Sequence, residues 1–177
     1  MDSLKSLLIG LLLVSLNGFG QVPIDIKFYL NNSQVSKTAK DFYKGKFKPS
    51  DDNRTMSILD SLNTRNNSTR PFYIYLVSTM MQKSDGALSE ALGNAAKNFI
   101  ERHPNEAVNF LYANNRMVEK KFLSAWAKQV AGEFMIDCEG GEKQCVRKSL
   151  KQTLAKTKSQ NKTRLTQFYS QIESNCH

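Results

Sequence analysis

The sequence predicts an all-α protein, built as an antiparallel helical bundle or a short α–α superhelix. Three observations carry that expectation. Apolar residues recur at three- and four-residue spacing over most of the chain beyond residue 50. Proline, glycine and short Ser/Asp/Asn clusters interrupt this pattern where helices would start and stop. Only one stretch, at residues 21–31, alternates apolar and polar positions as a half-buried strand would. At 177 residues and 40% apolar content the chain can bury one sizeable core, so a single domain is expected over residues 21–177. The 23% charged fraction, with only 9 glycines and 4 prolines, is not the composition of a disordered chain.

The first twenty residues stand apart from the rest. Met1–Ser6 carries a single lysine, Lys5, and Leu7–Leu16 is an almost unbroken apolar run. Gly18 and Gly20 then supply small residues at the −3 and −1 positions of a cleavage after Gly20. That order is the pattern of a cleaved secretory signal peptide at residues 1–20, with a mature chain starting at or near Gln21. A spanning helix needs about 20 apolar residues, twice what is present here. No cysteine follows the run to accept a bacterial lipid anchor. The protein is therefore expected to be secreted or periplasmic, and the short, lightly charged leader favours a bacterial source. Five Asn-x-Ser/Thr sequons (Asn31, Asn53, Asn66, Asn67, Asn161) would matter in a eukaryotic secretory pathway, but an Asn- and Ser-rich chain produces some by chance.

Each element follows from local pattern. Gln21–Asn31 places Val22, Ile24, Ile26, Phe28 and Leu30 at period two, the mark of a short extended arm lying against the helices. A short helix is expected around Ala39–Tyr43, ended by Gly45 and Pro49. Ser50-Asp51-Asp52 caps a helix whose apolar positions are Met56, Leu59 and Leu62. After a polar loop at Thr64–Thr69, Pro71 opens a helix that is apolar nearly all round from Phe72 to Met81, as a central buried helix is. Ser84-Asp85-Gly86 starts another, with Leu88, Leu92, Ala96, Phe99 and Ile100 inward and Gly93 permitting close helix approach. Pro104 starts the next, with Glu106 in the first turn where the macrodipole favours an acid, and Asn114-Asn115 breaks it. Val118, Phe122, Trp126, Val130 and Phe134 form the strongest amphipathic stripe, expected to pack on Phe72–Met80. Gly140-Gly141 ends it. The basic C-terminal segment 142–176 has two apolar groups, Val146/Leu150/Leu154 and Leu165/Phe168/Ile172. They suit one long helix with a solvated middle or a break near Ser159–Lys162.

The candidate chemistry is sparse. Cys138 and Cys145 flank a flexible turn and can form a disulfide, which leaves Cys176 as the odd thiol; Cys145 with Cys176 is the rival pairing. The histidines, His103 and His177, have no zinc-finger spacing to the cysteines, so no metal or other cofactor is expected. His103 reads as a cap at a helix junction rather than a general base. Asp51 and Asp52 read as a helix start. Glu133 and Asp137 share a helix face and read as a solvated flank. Ser89 and Ser124 lack a nucleophile-elbow pattern around them, and Glu139/Glu142 lack the ligand alternation of a calcium loop.

Charge is more informative. Lysine and arginine number 25 against 16 acids, a formal net of +9. From Lys143 onward there are eight bases and one acid, Glu173, so +7 of that excess lies beyond Glu142. In one continuous helix, Lys143, Arg147, Lys148, Lys151, Lys158 and Lys162 fall within about 140° of arc. Such a stripe suits an acidic protein or an anionic envelope polymer. Nucleic acid is disfavoured, because no exposed aromatics interleave with the bases. The leading expectation is a secreted or periplasmic helical binding protein. A small hydrolase acting on an envelope polymer and a passive structural envelope protein are the rivals.

Overall fold

The computed structural model describes residues 25–64, 66–84, 86–113, 118–138 and 140–176. The expected leader, the Asp85 cap position and the Asn114-Asn115 break lie outside the described residues. Within them all regular structure is helical: α1 (Ile26–Asn31), α2 (Lys37–Tyr43), α3 (Asn53–Asp60) with a single 3₁₀ turn at Ser61–Asn63, α4 (Arg70–Met81), α5 (Gly86–Arg102), α6 (Pro104–Leu111), α7 (Lys120–Asp137), α8 (Glu142–Ala155) and α9 (Ser159–Asn175). These pack as one helical bundle.

Local chemistry explains most of the starts. Ser36 Oγ accepts from Ala39 N at the head of α2, and Asp52 Oδ1 accepts from Thr55 N at the head of α3. The same bond, with help from the Arg54 guanidinium, holds the Asp52 carboxyl down at about 2. Pro71 and Pro104 sit in the first turns of α4 and α6, where a missing N–H leaves no helical bond unmade.

Over its described part the expected arm is not extended, and residues 21–24 of it lie outside the described residues. Asp25 Oδ1 accepts from Lys27 N and caps α1, so Ile26–Asn31 is a helix. The period-two reading hid a second pattern in the same letters: Ile26, Tyr29 and Leu30 stand at i, i+3 and i+4. A lone strand would leave its backbone groups without partners, whereas a helix satisfies them internally. Tyr29 is buried and stacks on Phe72 at 5.4 Å, while Phe28 points out at 56% exposure.

Helix α7 is central, contacting α4, α5, α8 and α9. Trp126 is fully buried on it, donates its indole N–H to Ser78 Oγ of α4 at 2.8 Å, and meets the Phe99 ring edge-to-face at 5.9 Å. The expected packing of the Trp126 stripe on α4 is observed. Along α5, Gly93 lets the backbones of α5 and α7 approach: a Cβ built there would lie 2.8 Å from the Gln129 carbonyl oxygen.

The last segment is a helical hairpin rather than one long helix. A turn at Lys156–Lys158 separates α8 from α9. Asn105 of α6 holds that turn from outside, donating to Lys156 O (3.2 Å) and accepting from Lys158 N (2.9 Å) and Asn161 Nδ2 (3.1 Å). A fold-back brings Val146 and Leu165 into the same core, as a continuous helix with the same periodicity would place them on the same side. Apolar spacing alone therefore cannot separate the two, and the polar contacts of Asn105 decide.

Gly93→Ala should lower stability by about 1–2 kcal/mol, because a Cβ pressed on the Gln129 carbonyl puts overpacking toward the upper part of its usual range of about 1–3 kcal/mol and helix propensity offsets about 1 kcal/mol of it. Urea unfolding of parent and variant measures it; a variant at least as stable as the parent would contradict the close α5–α7 approach.

Candidate functional site

The α8–α9 hairpin and its turn carry eight bases against two acids, Glu142 and Glu173. On α8, Lys143, Arg147, Lys148 and Lys151 are exposed, opposite the inward row Val146, Ser149 and Thr153. The fold-back corrects the expected stripe of six. Lys158 lies in the turn and Lys162 in the first turn of α9, so both belong to a second group at the hairpin tip. Arg147 is also partly committed, reaching Glu173 of α9 through Nε at 2.8 Å and a terminal nitrogen at 2.6 Å. Among the described residues Lys143, Lys148 and Lys151 have no ion-pair partner.

This face is mounted on a rigid base. Cys138 and Cys145 are joined in a disulfide with Cα atoms 6.5 Å apart, tying the end of α7 to the first turn of α8. A loop that short restrains the unfolded chain by about 2–3 kcal/mol. Cys176 is a buried free thiol, and burial pushes its pKa up. Under α8, Ser149 Oγ donates to Glu101 Oε1 (2.6 Å) and lies 2.9 Å from the Tyr169 hydroxyl, which is also 3.1 Å from Thr153 Oγ1. Burial pushes the Tyr169 phenol up, so it stays a neutral partner in this network. The segment read as solvated between the two apolar groups in fact buries Thr157 and Asn161 through polar contacts.

Two buried charged groups differ from the sequence expectation or were missed by it. Glu133 is not a solvated flank: it is 5% exposed, wedged against Gly93, and accepts from Asn94 Nδ2 at 2.9 Å. Burial raises its pKa, the Asn94 bond opposes the rise, and Asp137 adds to it. Asp137, one turn on, stays outside and pairs with Lys97 at 2.5 Å. The other missed group is Arg70, 1% exposed, whose guanidinium donates to Thr64 O and to both Glu106 carboxylate oxygens at 2.5–2.6 Å. That pair pins the loop before α4 to α6. His103, the residue before α6, does sit at a helix junction, but its side chain makes no capping bond. It lies 3.6 Å from Glu106, and its pKa is lowered by burial and then by Arg70.

No constellation of three or more metal-ligating side chains occurs among the described residues. No described helix is long and apolar enough to cross a membrane. Compared with protein-family models, with curated proteins and with solved structures, the chain has no match in any of the three.

The Glu133 environment makes a pH-dependent prediction. Its folded-state pKa is raised, so the folded protein holds this proton more tightly than the unfolded chain does. Ionisation of Glu133 therefore opposes folding as pH rises out of the ordinary carboxylate range and through the raised value. Glu133→Gln retains an acceptor for Asn94 and removes the charge. The variant should match the parent at pH 4 and exceed it in urea resistance at pH 7. A variant that loses stability relative to the parent between pH 4 and pH 7 would contradict this reading.

Proposed function

We propose that this is an exported helical binding protein, working in a secretory or periplasmic space, that engages an anionic partner through the outer face of α8. The partner class that fits is an acidic protein or an anionic envelope polymer. The observation that supports the reading is the trio Lys143, Lys148 and Lys151, exposed on one helix and, among the described residues, in no ion pair. Four further bases, at the hairpin tip and on α9 (Lys156, Lys158, Lys162, Arg164), extend the same positive field. A folded helix presents these charges at fixed spacing, so the partner finds them preorganised rather than ordering a loop on contact. Such a contact gives fast, salt-sensitive association more than high affinity.

The hydrolase alternative needs two carboxylates converging on one cleft. Glu133, the one carboxyl among the described residues with a raised pKa, is held between α5 and α7 by Asn94 and Gly93, a position that suits a packing lock better than an acid catalyst.

Charge reversal tests the reading against a matched control. Lys148→Glu/Lys151→Glu should leave the fold intact, since exposed substitutions usually cost within about 0.5 kcal/mol. On immobilised dextran sulfate and on poly-glutamate it should elute at clearly lower salt than the parent. Lys37→Glu/Lys44→Glu, with the same net charge but on another part of the surface, should elute close to the parent. In batch binding at fixed salt, the difference should be largest at low salt and fade above about 0.1 M, where screening is about 10 Å. Equal elution of the two double variants would mean that only net charge matters and that α8 is no docking face.

A further inference from the structure

A second site lies on other elements, between α2, the turn after it, and α4. Phe42, Tyr43, Phe47 and Tyr75 line a cavity of about 630 Å³, with Leu76 and Thr79 of α4 also in its lining. Such a volume lies in the range of small-molecule sites, and an aromatic lining with few charged groups is their usual composition.

These rings are held in place from behind. Phe42 and Phe47 lie 5.7 Å apart, and Tyr43 lies 5.9 Å from Phe72 and 6.3 Å from Tyr75. The Arg54 guanidinium stacks over Phe47 at 4.6 Å. The turn that carries Phe47 and Lys48 out of α2 depends on Gly45, whose φ of +71° is costly for any residue with a Cβ. Yet the rings are not closed into the core. Tyr43 is 38% exposed, and Phe42, Phe47 and Tyr75 are each only half-buried. Leaving four aromatic rings partly wet around one hollow forgoes apolar burial that a tighter fold would gain.

The charge at this cavity has one sign. Lys48 and Lys83 stand in its lining, both exposed, and among the described residues no acid does. Among the described residues neither lysine has an ion-pair partner. Two acids of the flanking elements are engaged elsewhere: Asp41 with Lys46 at 2.7 Å, and Glu119, whose field reaches Tyr75, with Lys121 at 2.9 Å. Aromatic walls favour a flat or aliphatic body, and two unpaired ammonium groups at the mouth favour a carboxylate or sulfonate on it.

We propose that this cavity is a binding site for a small amphiphilic anion, with an aromatic or aliphatic body seated among Phe42, Tyr43, Phe47 and Tyr75 and its acid group facing Lys48 and Lys83. The site is independent of the α8 face. A polymer would use an open surface, whereas a hollow of this size holds a single ligand of about drug size.

Anilinonaphthalene sulfonate is the probe, because it is an aromatic anion that fluoresces when its rings leave water. Phenylnaphthylamine, which lacks the sulfonate, is the neutral comparison. The folded parent should bind the sulfonate saturably and more tightly than the neutral amine. Lys48→Ala/Lys83→Ala should weaken the sulfonate by about three- to tenfold, on the scale of two exposed charge contacts, and leave the amine unchanged. Thr79→Trp, which fills the cavity, should abolish binding of both. The charge-reversed α8 variant should bind both as the parent does. Absence of saturable binding to the parent would overturn the proposal, as would parental affinity in a natively folded Thr79→Trp. Should Thr79→Trp fail to fold, Tyr43→Ala removes one wall at a partly exposed position and should weaken both probes; unchanged affinities there would equally overturn it.

Discussion

One buried hydrogen bond organises the core: the Trp126 indole N–H to Ser78 Oγ. Trp126 is the largest fully buried side chain on the helix that four others pack against. An indole that size contributes apolar area from every side, but its N–H must find a partner once water is gone. Ser78 supplies it from within α4 while returning its own hydroxyl hydrogen to the Ile74 carbonyl at 2.7 Å. The pair thereby fixes rotation and register of α7 against α4, which apolar contacts alone leave loose. Once α7 is placed, Gly93 lets α5 close on its other side, and the Cys138–Cys145 link sets where α8 begins.

Around this centre, buried polar groups recur at the helix junctions. Arg70 joins the loop before α4 to α6, Glu133 joins α7 to α5 through Asn94, and Asn105 clasps the α8–α9 turn from α6. Tyr169 joins α9 to α8 through Ser149 and Thr153. Each group carries a desolvation cost that its bonds largely offset, so such contacts add less to stability than to choosing one arrangement among several. The short helices leave many ends to be met, and side-chain partners meet them.

This division explains what could be read from the sequence. The helix starts at Asp52, Pro71 and Pro104, the buried character of α4 and the inward stripe of α7 were all legible, because capping and 3.6-residue periodicity are local properties. The arm at residues 26–31 was misread because six residues satisfy two periods at once, and Tyr29 finds its partner, Phe72, forty-three positions away in the chain. Glu133 looked like a surface acid because its spacing to Asp137 is that of a solvated pair; only the absence of a side chain at Gly93, forty residues earlier, makes room for it inside. Arg70 and Asn105 gave no signal for the same reason. The basic face was legible in composition, but its division into an α8 group and a tip group depends on the turn that Asn105 holds. The aromatic cavity was not legible at all, since nothing in the spacing of Phe42, Phe47 and Tyr75 shows that their rings stay partly exposed around one hollow.

The functional proposals rest on that scaffold, because both the α8 lysines and the aromatic cavity flank helices whose positions α7 and α4 determine. A double-mutant cycle on Trp126→Phe and Ser78→Ala, followed by urea unfolding, tests the organising contact most directly. A buried bond between these two groups predicts a coupling energy of about 1–2 kcal/mol, with Ser78→Ala alone costly because it strands the indole N–H. Additivity of the two substitutions to within about 0.3 kcal/mol would contradict the account.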